Sequence, residues 1–307
     1  MKTLIIAALI FLDLIPHSIP YVSDIRKGLE NKVRVETHQV TDKTNKPPNF
    51  SPLPYQNNKY YTLTANAKAY MAIDMGTGET LLQKNQGQKL EIASLTKLMT
   101  ARLLLQDGDL NKTVMVKARD LNKVPAEEAR MWLAVGDKVT YNTLLHGLLI
   151  NSGADAAVTI ADNLYPGGYS EFIAKMNNEA QSMKLDSTHY DNPVGWDSTQ
   201  NYSTAQDLEI LARTLLQNGT FNKVVGTKSE TVYSENGRPY NLQNTNELLG
   251  IDNIFGVKTG FTNSAGECLI TAGKVKGQDV LTIVLDTGDR FGQTKNLLSW
   301  ADLVYNW

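Results

Sequence analysis

One serine and two lysines occur in a pattern that suits acyl-transfer chemistry. Ser94 precedes Lys97 by three residues, and Lys258-Thr259-Gly260 follows much later in the chain. Residues three apart share a face of a helix, so a helical turn that begins at Ser94 would hold the Lys97 amine beside the Ser94 hydroxyl. A neutral amine in that place accepts the serine proton, and no histidine is needed. The pattern therefore predicts a hydroxyl nucleophile between two lysine amines.

The two motifs differ in how specific they are. A serine followed three residues later by a lysine is expected on the order of once by chance in this chain, whereas Lys-Thr-Gly is expected about 0.1 times. A third motif, Asn151-Ser152-Gly153-Ala154-Asp155, follows an apolar helical pattern. Gly153 would end that helix and Asp155 would cap the next one. Ser152 is therefore either a second hydroxyl of the same site or a helix cap.

The order of the three motifs resembles that of penicillin-binding proteins and serine β-lactamases. Their flanks, residues 92–101, 192–195 and 256–266, are similar to those of low-molecular-mass penicillin-binding proteins, and within that group to D-alanyl-D-alanine carboxypeptidases. The resemblance extends from about Lys68 to the C-terminus. It implies a β-lactamase/transpeptidase-like fold of the α/β (α+β) class. In that fold an antiparallel sheet built from both chain ends is flanked by helices, with a helical subdomain inserted between them.

The resemblance implies three catalytic residues, Ser94, Lys97 and Ser152. Lys97 would take the Ser94 proton during attack on a carbonyl, and Ser152 would relay a proton to the leaving amine. A free lysine has a pKa near 10.4, so only about one Lys97 amine in 2,500 would be neutral at pH 7. A Lys258 ammonium about 4 Å away would cost the charged form of Lys97 roughly 4 kcal/mol, and burial would act in the same direction.

The resemblance also implies a set of substrate-binding residues. The backbone amides of Ser94 and Phe261 would stabilise the oxyanion. Arg290 precedes the predicted last helix and is interpreted either as a carboxylate ligand or as a surface arginine. The family usually has asparagine at the position of Ala154, so a reduced turnover rate is expected. The substrate-binding set is Lys258, Thr259, Gly260, Phe261, Ala154 and Arg290.

These motifs predict an exported serine D-alanyl-D-alanine carboxypeptidase. It would remove the terminal D-alanine from peptidoglycan stem peptides, and β-lactams would inhibit it covalently. Three alternatives stay open. One is a serine β-lactamase, for which Glu127 or Glu128 would have to act as the deacylating base. Another is an endopeptidase acting on cross-links. The third is a catalytically weak peptidoglycan-binding module, which Ala154 motivates.

Composition argues against several other classes of function. The formal net charge of −2 over 307 residues gives no basic footprint, so no nucleic-acid partner is expected. Cys268 is the only cysteine, which excludes an internal disulfide, and its apolar neighbours predict a packed strand residue. No metal or cofactor is expected, because no histidine has metal-ligand spacing. The four histidines are His17, His38, His146 and His189.

The N-terminal residues predict export. Lys2 and the apolar run from Leu4 to Leu12 have the length of a signal-peptide core, although no clear cleavage site follows. Residues 1–20 are therefore predicted to be a signal peptide or an uncleaved N-terminal anchor that would associate with a membrane. An extended polar, proline-containing linker is predicted at 21–60 and the catalytic domain at 61–307. The domain would act outside the cytoplasm, secreted or in the periplasmic or cell-wall space.

Hydrophobic periodicity locates the elements that must position the motifs. Alternation around a turn at 75–78 predicts a β-hairpin, and a helix is predicted from Ser94 to about Gln106. Between Leu110 and Gln217 the pattern is mostly helical, and strands return from Phe255. Trp196 would line the cleft. Further predicted elements are helices at 170–183, from 203 and at 294–307, and strands at 265–272 and 280–285.

Overall fold

The computed structural model describes residues 51–57, 63 and 65–307. The predicted leader, 1–20, and most of the predicted linker, 21–60, lie outside the described residues. In chain order the strands are β1 (Tyr55–Gln56), β2 (Ala67–Asp74), β3 (Thr80–Lys84), β4 (Leu90–Glu91), β5 (Thr113–Met115), β6 (Lys138–Thr140), β7 (Tyr202–Ser203), β8 (Ser229–Tyr233), β9 (Pro239–Gln243), β10 (Gly256–Thr262), β11 (Gly266–Val275), β12 (Gln278–Thr287) and β13 (Tyr305–Asn306).

The helices of the described residues are mostly found between β4 and β8. They are α1 (Lys97–Asp107), α2 (Ala118–Leu121), α3 (Tyr141–Leu149), α4 (Ala154–Asn163), α5 (Gly168–Ser182), α6 (Ala205–Leu216), α7 (Gly219–Val225) and α8 (Arg290–Val304). Within the described part of the chain, none of them is long and apolar enough to cross a bilayer.

The central sheet joins the two ends of the catalytic region. Its five antiparallel strands have the order β10-β11-β12-β2-β3. Val280 of β12 pairs with Asp74 of β2, and Thr259 of β10 pairs with Leu269 of β11. The predicted hairpin corresponds to β2 and β3, and the two predicted C-terminal strands correspond to β11 and β12. The prediction of an antiparallel sheet built from both chain ends is confirmed.

Helices cover both faces of the sheet. On one face α8 packs on β11 and β12, where Trp300 and Val304 share an apolar cluster with Ala72 and Val280. On the other face α1 lies in contact with α3, α4, α5 and α6. Nearly every side chain in the first half of α1 is buried, as expected for a helix surrounded by other elements. The edge strand β10 contacts the turn that precedes α1, so it lies beside the N-terminal end of that helix.

Two helices begin at residues other than those predicted. Ala93 has a left-handed backbone (φ +47°) and opens a 3₁₀ turn that covers Ala93–Thr96, and α1 begins at Lys97, three residues after its predicted start. The last helix begins at Arg290, four residues before its predicted start. Asp289 caps it by accepting a hydrogen bond from Gly292 N at 2.8 Å. The helix ends at Val304, where the chain turns into β13.

The sequence pattern predicts no helix or strand in the segment between α6 and β10. It contains α7 and the β8–β9 hairpin, in which Glu230 pairs with Leu242. Side chains alternate between half-buried and exposed along β8, so the hairpin covers the helical subdomain with one face only. The predicted helices at 170–183 and from 203 are confirmed as α5 and α6, with Thr204 capping α6 by accepting from Asp207 N at 3.1 Å.

Candidate active site

A cleft of about 590 Å³ opens between β10 and the helical subdomain. Six of the nine residues predicted for the site lie on its wall: Ser94, Ser152, Thr259, Gly260, Phe261 and Arg290. Lys97 and Lys258 are buried behind that wall, and each lies within hydrogen-bonding distance of one of the two serines. The three motifs, distant in sequence, therefore meet at one place.

The nucleophile candidate and its lysine are held by a short turn. Lys97 Nζ lies 2.6 Å from Ser94 Oγ and donates to the carbonyl of Val194 at 2.9 Å. Asn192 fixes that carbonyl, because its Oδ1 accepts from the amides of Val194 and Gly195 at 3.1 and 2.6 Å. The Asn192–Gly195 motif thus positions the lysine from the opposite side.

Two glycines allow the backbone to approach the Ser94 turn closely. A Cβ on Gly195, whose φ is +96°, would lie 1.8 Å from the carbonyl oxygen of Ala93. A Cβ on Gly260 would lie 3.2 Å from the amide nitrogen of Ser94. Real Cβ atoms do not make the first contact, so residue 195 must be glycine if Ser94 is to keep its place. The second contact puts strand β10 next to the Ser94 amide.

A second serine–lysine pair faces the first across the cleft. Lys258 Nζ lies 3.0 Å from Ser152 Oγ and donates to the Thr259 carbonyl at 2.9 Å. Ser152 precedes α4 in a left-handed conformation (φ +56°), which turns it out of the helical path and toward the cleft. Lys258 is only 1% exposed, so its charge acts through Ser152 and through space.

Burial is the main reason why these amines depart from ordinary lysine behaviour. It lowers the pKa of Lys97 to about 8, while the negative charges of Glu128 and Asp155 act in the opposite direction. Burial also lowers the pKa of Lys258, and the positive charges of Lys97 and Arg290 add to that effect. Lys258 is not among the causes of the lowered pKa of Lys97, so the expectation that it supplies much of that decrease is wrong. The positive charge of Lys97 is thus the second cause of the lowered pKa of Lys258, after burial.

One end of the cleft is suited to an anionic group. Arg290 lies in the first turn of α8, rather than before it, and its Nη1 donates to the Gly260 carbonyl at 3.1 Å. Its guanidinium stacks on Phe291 at 4.9 Å, and among the described residues its buried Nε has no hydrogen-bond partner. The Thr259 hydroxyl, 2.5 Å from that of Thr245, lies on the same wall. A cation and two hydroxyls thus converge there.

Ala154 does not reach the cleft. It is the first residue of α4, is fully buried, and its amide donates to the Ala129 carbonyl at 2.7 Å. Asp155 does not cap α4 either, because Gly153 occupies the cap position. Its carboxylate accepts instead from the amides of Ala156, Met131 and Leu133, each at 3.0 Å.

Several wall residues carried no recognisable sequence signal. Thr245 lies in the loop after β9, and only tertiary folding brings it to Thr259. Glu127, Glu128 and Asp197 also line the cleft. The sequence suggests a role for the two glutamates only as deacylating bases of a β-lactamase. The prediction that Trp196 lines the cleft is confirmed.

Other chemistry-bearing groups lie away from this site. Cys268 is fully buried in β11 with its Sγ 3.6 Å from the Ala265 carbonyl, and burial raises the pKa of its thiol to about 12. Its interpretation as a packed strand residue is confirmed. No group of His, Cys, Asp or Glu side chains in the described ranges is arranged to hold a metal ion.

Comparison with known proteins agrees with this geometry. The family model described as D-alanyl-D-alanine carboxypeptidase matches residues 56–289, which include all three motifs. The chain belongs to the D-alanyl-D-alanine carboxypeptidase family. One member, D-alanyl-D-alanine carboxypeptidase DacF of Bacillus subtilis, is 32% identical over 79% of this chain. A D-alanyl-D-alanine carboxypeptidase of a Streptomyces species is 36% identical over 70% of it.

Proteins with other names are also similar to this chain. A D-alanyl-D-alanine endopeptidase of Pseudomonas aeruginosa is 30% identical over 76% of this chain. The crystal structure of a Streptomyces DD-transpeptidase covers 78% of this chain and 98% of its own at a TM-score of 0.74 and 33% identity. A D-alanyl-D-alanine carboxypeptidase structure from Mycobacterium tuberculosis covers 80% of this chain and 94% of its own, at a TM-score of 0.73 and 29% identity. The match spans 64% of the length of the Bacillus relative and 78% of the Streptomyces one. The β-lactamase/transpeptidase-like fold is confirmed.

Proposed function

We propose that this protein is a serine-type D-alanyl-D-alanine carboxypeptidase. It removes the terminal D-alanine from peptidoglycan stem peptides through an acyl-Ser94 intermediate. The observation that carries the proposal is the 2.6 Å separation of Lys97 Nζ from Ser94 Oγ in a cleft where burial lowers the pKa of that lysine to about 8. With that pKa, about one Lys97 amine in ten is neutral at pH 7, compared with about one in 2,500 for a free lysine.

Acylation follows from these positions. The neutral Lys97 amine takes the Ser94 proton as Oγ bonds to the carbonyl carbon of the penultimate D-alanine. The amide bond then breaks, and the leaving amine of the terminal D-alanine takes a proton from Ser152. Lys258, 3.0 Å from Ser152 Oγ, replaces that proton. Lys97 then loses its extra proton to solvent and Lys258 regains one from solvent. Water next attacks the acyl ester, Lys97 accepts a proton from that water and gives it to Ser94 Oγ as the ester bond breaks, and Ser94 is restored.

The substrate is held by the groups that converge at the anionic end of the cleft. The terminal carboxylate of the peptide binds Arg290 and the Thr259 hydroxyl, with the Lys258 amine buried behind them. The amides of Ser94 and Phe261 stabilise the oxyanion, which the close approach of Gly260 to the Ser94 amide supports. Ala154 brings no polar group to this set, so the expected reduction in turnover rate stands as a prediction.

The fate of the acyl-enzyme separates the related activities. Transfer to water makes a carboxypeptidase, transfer to another amine makes a transpeptidase, and attack on a cross-link makes an endopeptidase. Proteins with all three of these names are similar to this chain. The cleft end at Arg290 suits a free terminal carboxylate, which a pentapeptide has and a cross-linked donor lacks, and this favours the carboxypeptidase over the endopeptidase. Release of free D-alanine with no transfer of the acyl group to an added amine would separate the carboxypeptidase from the transpeptidase.

The same serine would be acylated by β-lactams, which makes them covalent inhibitors. A β-lactamase is the alternative that the position of Glu128 motivates, since this carboxylate lines the cleft and its charge acts on Lys97. Nitrocefin kinetics distinguish the two. A burst of about one equivalent followed by slow turnover is expected from the carboxypeptidase. Sustained rapid hydrolysis would instead assign the chain to the β-lactamases.

The substrate places the protein outside the cytoplasm, because peptidoglycan lies there. We also propose that residues 1–20 attach the protein to a membrane. The apolar run from Leu4 to Leu12 is the basis of this proposal. Fractionation of cells before and after removal of those residues tests it, with loss from the membrane fraction as the expected result.

The decisive experiment measures free D-alanine. The full chain is incubated with diacetyl-Lys-D-Ala-D-Ala, with Ser94→Ala as the matched control that lacks the nucleophile. We expect release by the parent and at least a thousandfold slower release by the variant. Mass spectrometry after penicillin exposure should place one adduct on Ser94. A folded parent that releases no D-alanine and gains no adduct, yet binds peptidoglycan, would establish the wall-binding alternative.

A further inference from the structure

A large aromatic side chain faces solvent close to the cleft. Trp132 is 78% exposed, whereas its chain neighbours Met131 and Leu133 are 2% and 6% exposed. Its φ of +66° is in the left-handed region, which bulky residues rarely adopt. The backbone therefore turns at this residue so that the indole lies outside while both neighbours remain in the core.

Buried contacts hold this turn on both sides. The amides of Met131 and Leu133 donate to the two different carboxylate oxygens of Asp155, each at 3.0 Å, and Asp155 is 1% exposed. The Met131 sulfur packs against Gly147 so closely that a Cβ there would lie 2.1 Å from it. Strained backbone that its surroundings fix so firmly is often found at functional positions.

The same stretch of chain forms one wall of the cleft. Glu128 and Ala129 line it, and the Ala129 carbonyl accepts from the amide of Ala154, two residues after Ser152. The Arg130 carbonyl accepts from Asn151 Nδ2 at 2.5 Å. Trp132 is three residues beyond Ala129, so their Cα atoms are at most about 11 Å apart. The indole is thus attached rigidly to the loop that carries Ser152.

We propose that Trp132 is a stacking platform for one sugar ring of the glycan strand whose stem peptide occupies the cleft. This inference rests on the proposed carboxypeptidase function and names the part of the substrate that lies outside the cleft. Four stem residues separate the scissile bond from the glycan, and in extended form they span about 14 Å. Because Trp132 lies within about 11 Å of a residue of the cleft wall, a stem peptide of this length is long enough to bring the first sugar to it.

A single sugar ring fits this surface better than a broad apolar partner does. A pyranose presents an apolar C–H face about the size of one aromatic ring and keeps its hydroxyls at the edge, in water. A rigid indole supplies such a contact at low entropic cost. Val135, in the same segment, is 60% exposed and provides the matched control. An apolar interface with a membrane would use both side chains, whereas a stacked sugar uses only the indole.

The first test measures binding without catalysis. Full-length parent, Trp132→Ala, Trp132→Phe and Val135→Ala are compared for binding to peptide-free glycan strands and to vesicles of phosphatidylglycerol. We expect Trp132→Ala to weaken glycan binding about tenfold, Trp132→Phe to restore part of it, and Val135→Ala to leave it unchanged. Equal glycan binding by parent and Trp132→Ala overturns the platform. The platform is also overturned if Trp132→Ala and Val135→Ala both lose vesicle binding while both retain glycan binding.

The second test compares two substrates. Trp132→Ala should lower kcat/KM about tenfold on a disaccharide-pentapeptide, mainly through KM, and leave kcat/KM on the sugar-free diacetyl-Lys-D-Ala-D-Ala unchanged. An equal effect on both substrates, or none on either, contradicts the platform. If the parent releases no D-alanine from either substrate, the proposed function fails, and the glycan-binding comparison alone decides the role of Trp132.

Discussion

At the scale of single residues, burial and neighbouring carboxylates act in opposite directions on the pKa of Lys97. Burial lowers its pKa to about 8, and the carboxylates of Glu128 and Asp155 limit that decrease. The neutral form is the base, so the acylation rate should rise with pH and level off above about pH 8. Labelling with fluorescent penicillin between pH 6 and 10 measures this. Glu128→Gln should move the midpoint to lower pH, because it removes a charge that favours the ammonium. A rate independent of pH would contradict Lys97 as the base.

The same burial costs stability. The pKa of Lys97 is about 8 in the folded protein and near 10.5 in the unfolded chain, so the unfolded state binds more protons between these values. The cost, about 3 kcal/mol, is fully present below pH 8 and disappears as the pH rises through 10.5. Lys97→Met should therefore raise the melting temperature by several degrees at pH 7 and by much less at pH 10.5.

Thermal melts of that variant at the two pH values need a surface control. Lys112 is exposed, so Lys112→Met should change the melting temperature little at either pH. The increase for Lys97→Met is smaller than the full burial cost, because Glu128 and Asp155 lose their partner charge. If Lys97→Met melts lower than the parent at pH 7, the buried ammonium contributes more through its hydrogen bonds than it loses by desolvation.

Residues of the site differed in how readily the sequence revealed them. Ser94 and Lys97 belong to one helical turn, so their contact follows from spacing alone. Lys258 and Ser152 are far apart, and only the resemblance to a family placed them together. Thr245 was missed because it touches Thr259 through a loop that has no periodic pattern. Local geometry can be read from a sequence, whereas contacts that depend on a loop conformation cannot.

At the scale of elements, the Ser94 turn depends on how closely Gly195 can approach it. A Cβ on Gly195 would lie 1.8 Å from the Ala93 carbonyl, and its φ of +96° already disfavours any other residue. Gly195→Ala should therefore displace the turn, destabilise the fold by about 3 kcal/mol and reduce penicillin labelling at least a hundredfold. Melting temperature and labelling rate measure the two effects.

A second glycine provides the comparison for that variant. Gly219 begins α7 and has nothing within 4 Å of its ideal Cβ, so Gly219→Ala should leave labelling unchanged. It should also be neutral or slightly stabilising, since alanine favours helix. Labelling of Gly195→Ala at the parental rate would mean that the turn tolerates displacement, and the positioning role of the Asn192–Gly195 motif would then be lost.

Elements with a clear period were predicted, and those defined by tertiary contacts were not. The β2–β3 hairpin and the β11–β12 pair follow from alternation with a turn between. The bounds of α8 differ because Asp289 caps it early and Tyr305 leaves it to pair with β1. The β8–β9 hairpin was missed because only one of its faces is covered, and its alternating residues are weakly apolar.

At the scale of the whole molecule, the site exists only when the two ends of the catalytic region meet. Strand β12 pairs with β2, which brings Lys258 on β10 into the same sheet as the hairpin that leads to Ser94. Such pairings between distant segments form slowly, because a long loop must close before they contribute stability. We therefore expect the active site to form late in folding, so that its integrity reports on closure of the sheet.

The last residues of the chain should test that closure. Tyr305 Oη donates to the Leu81 carbonyl at 3.0 Å, and Trp307 Nε1 donates to Asp74 Oδ2 at 2.7 Å. Deleting residues 305–307 should therefore lower stability by about 3 kcal/mol and the melting temperature by about 10 °C. Unchanged melting after this deletion would mean that the sheet closes without its last contacts.

Removing residues 1–51 should leave the penicillin labelling rate within about twofold of the parental rate, since every site residue lies between 94 and 290. A large loss of labelling without residues 1–51 would mean that the N-terminal region supports the cleft.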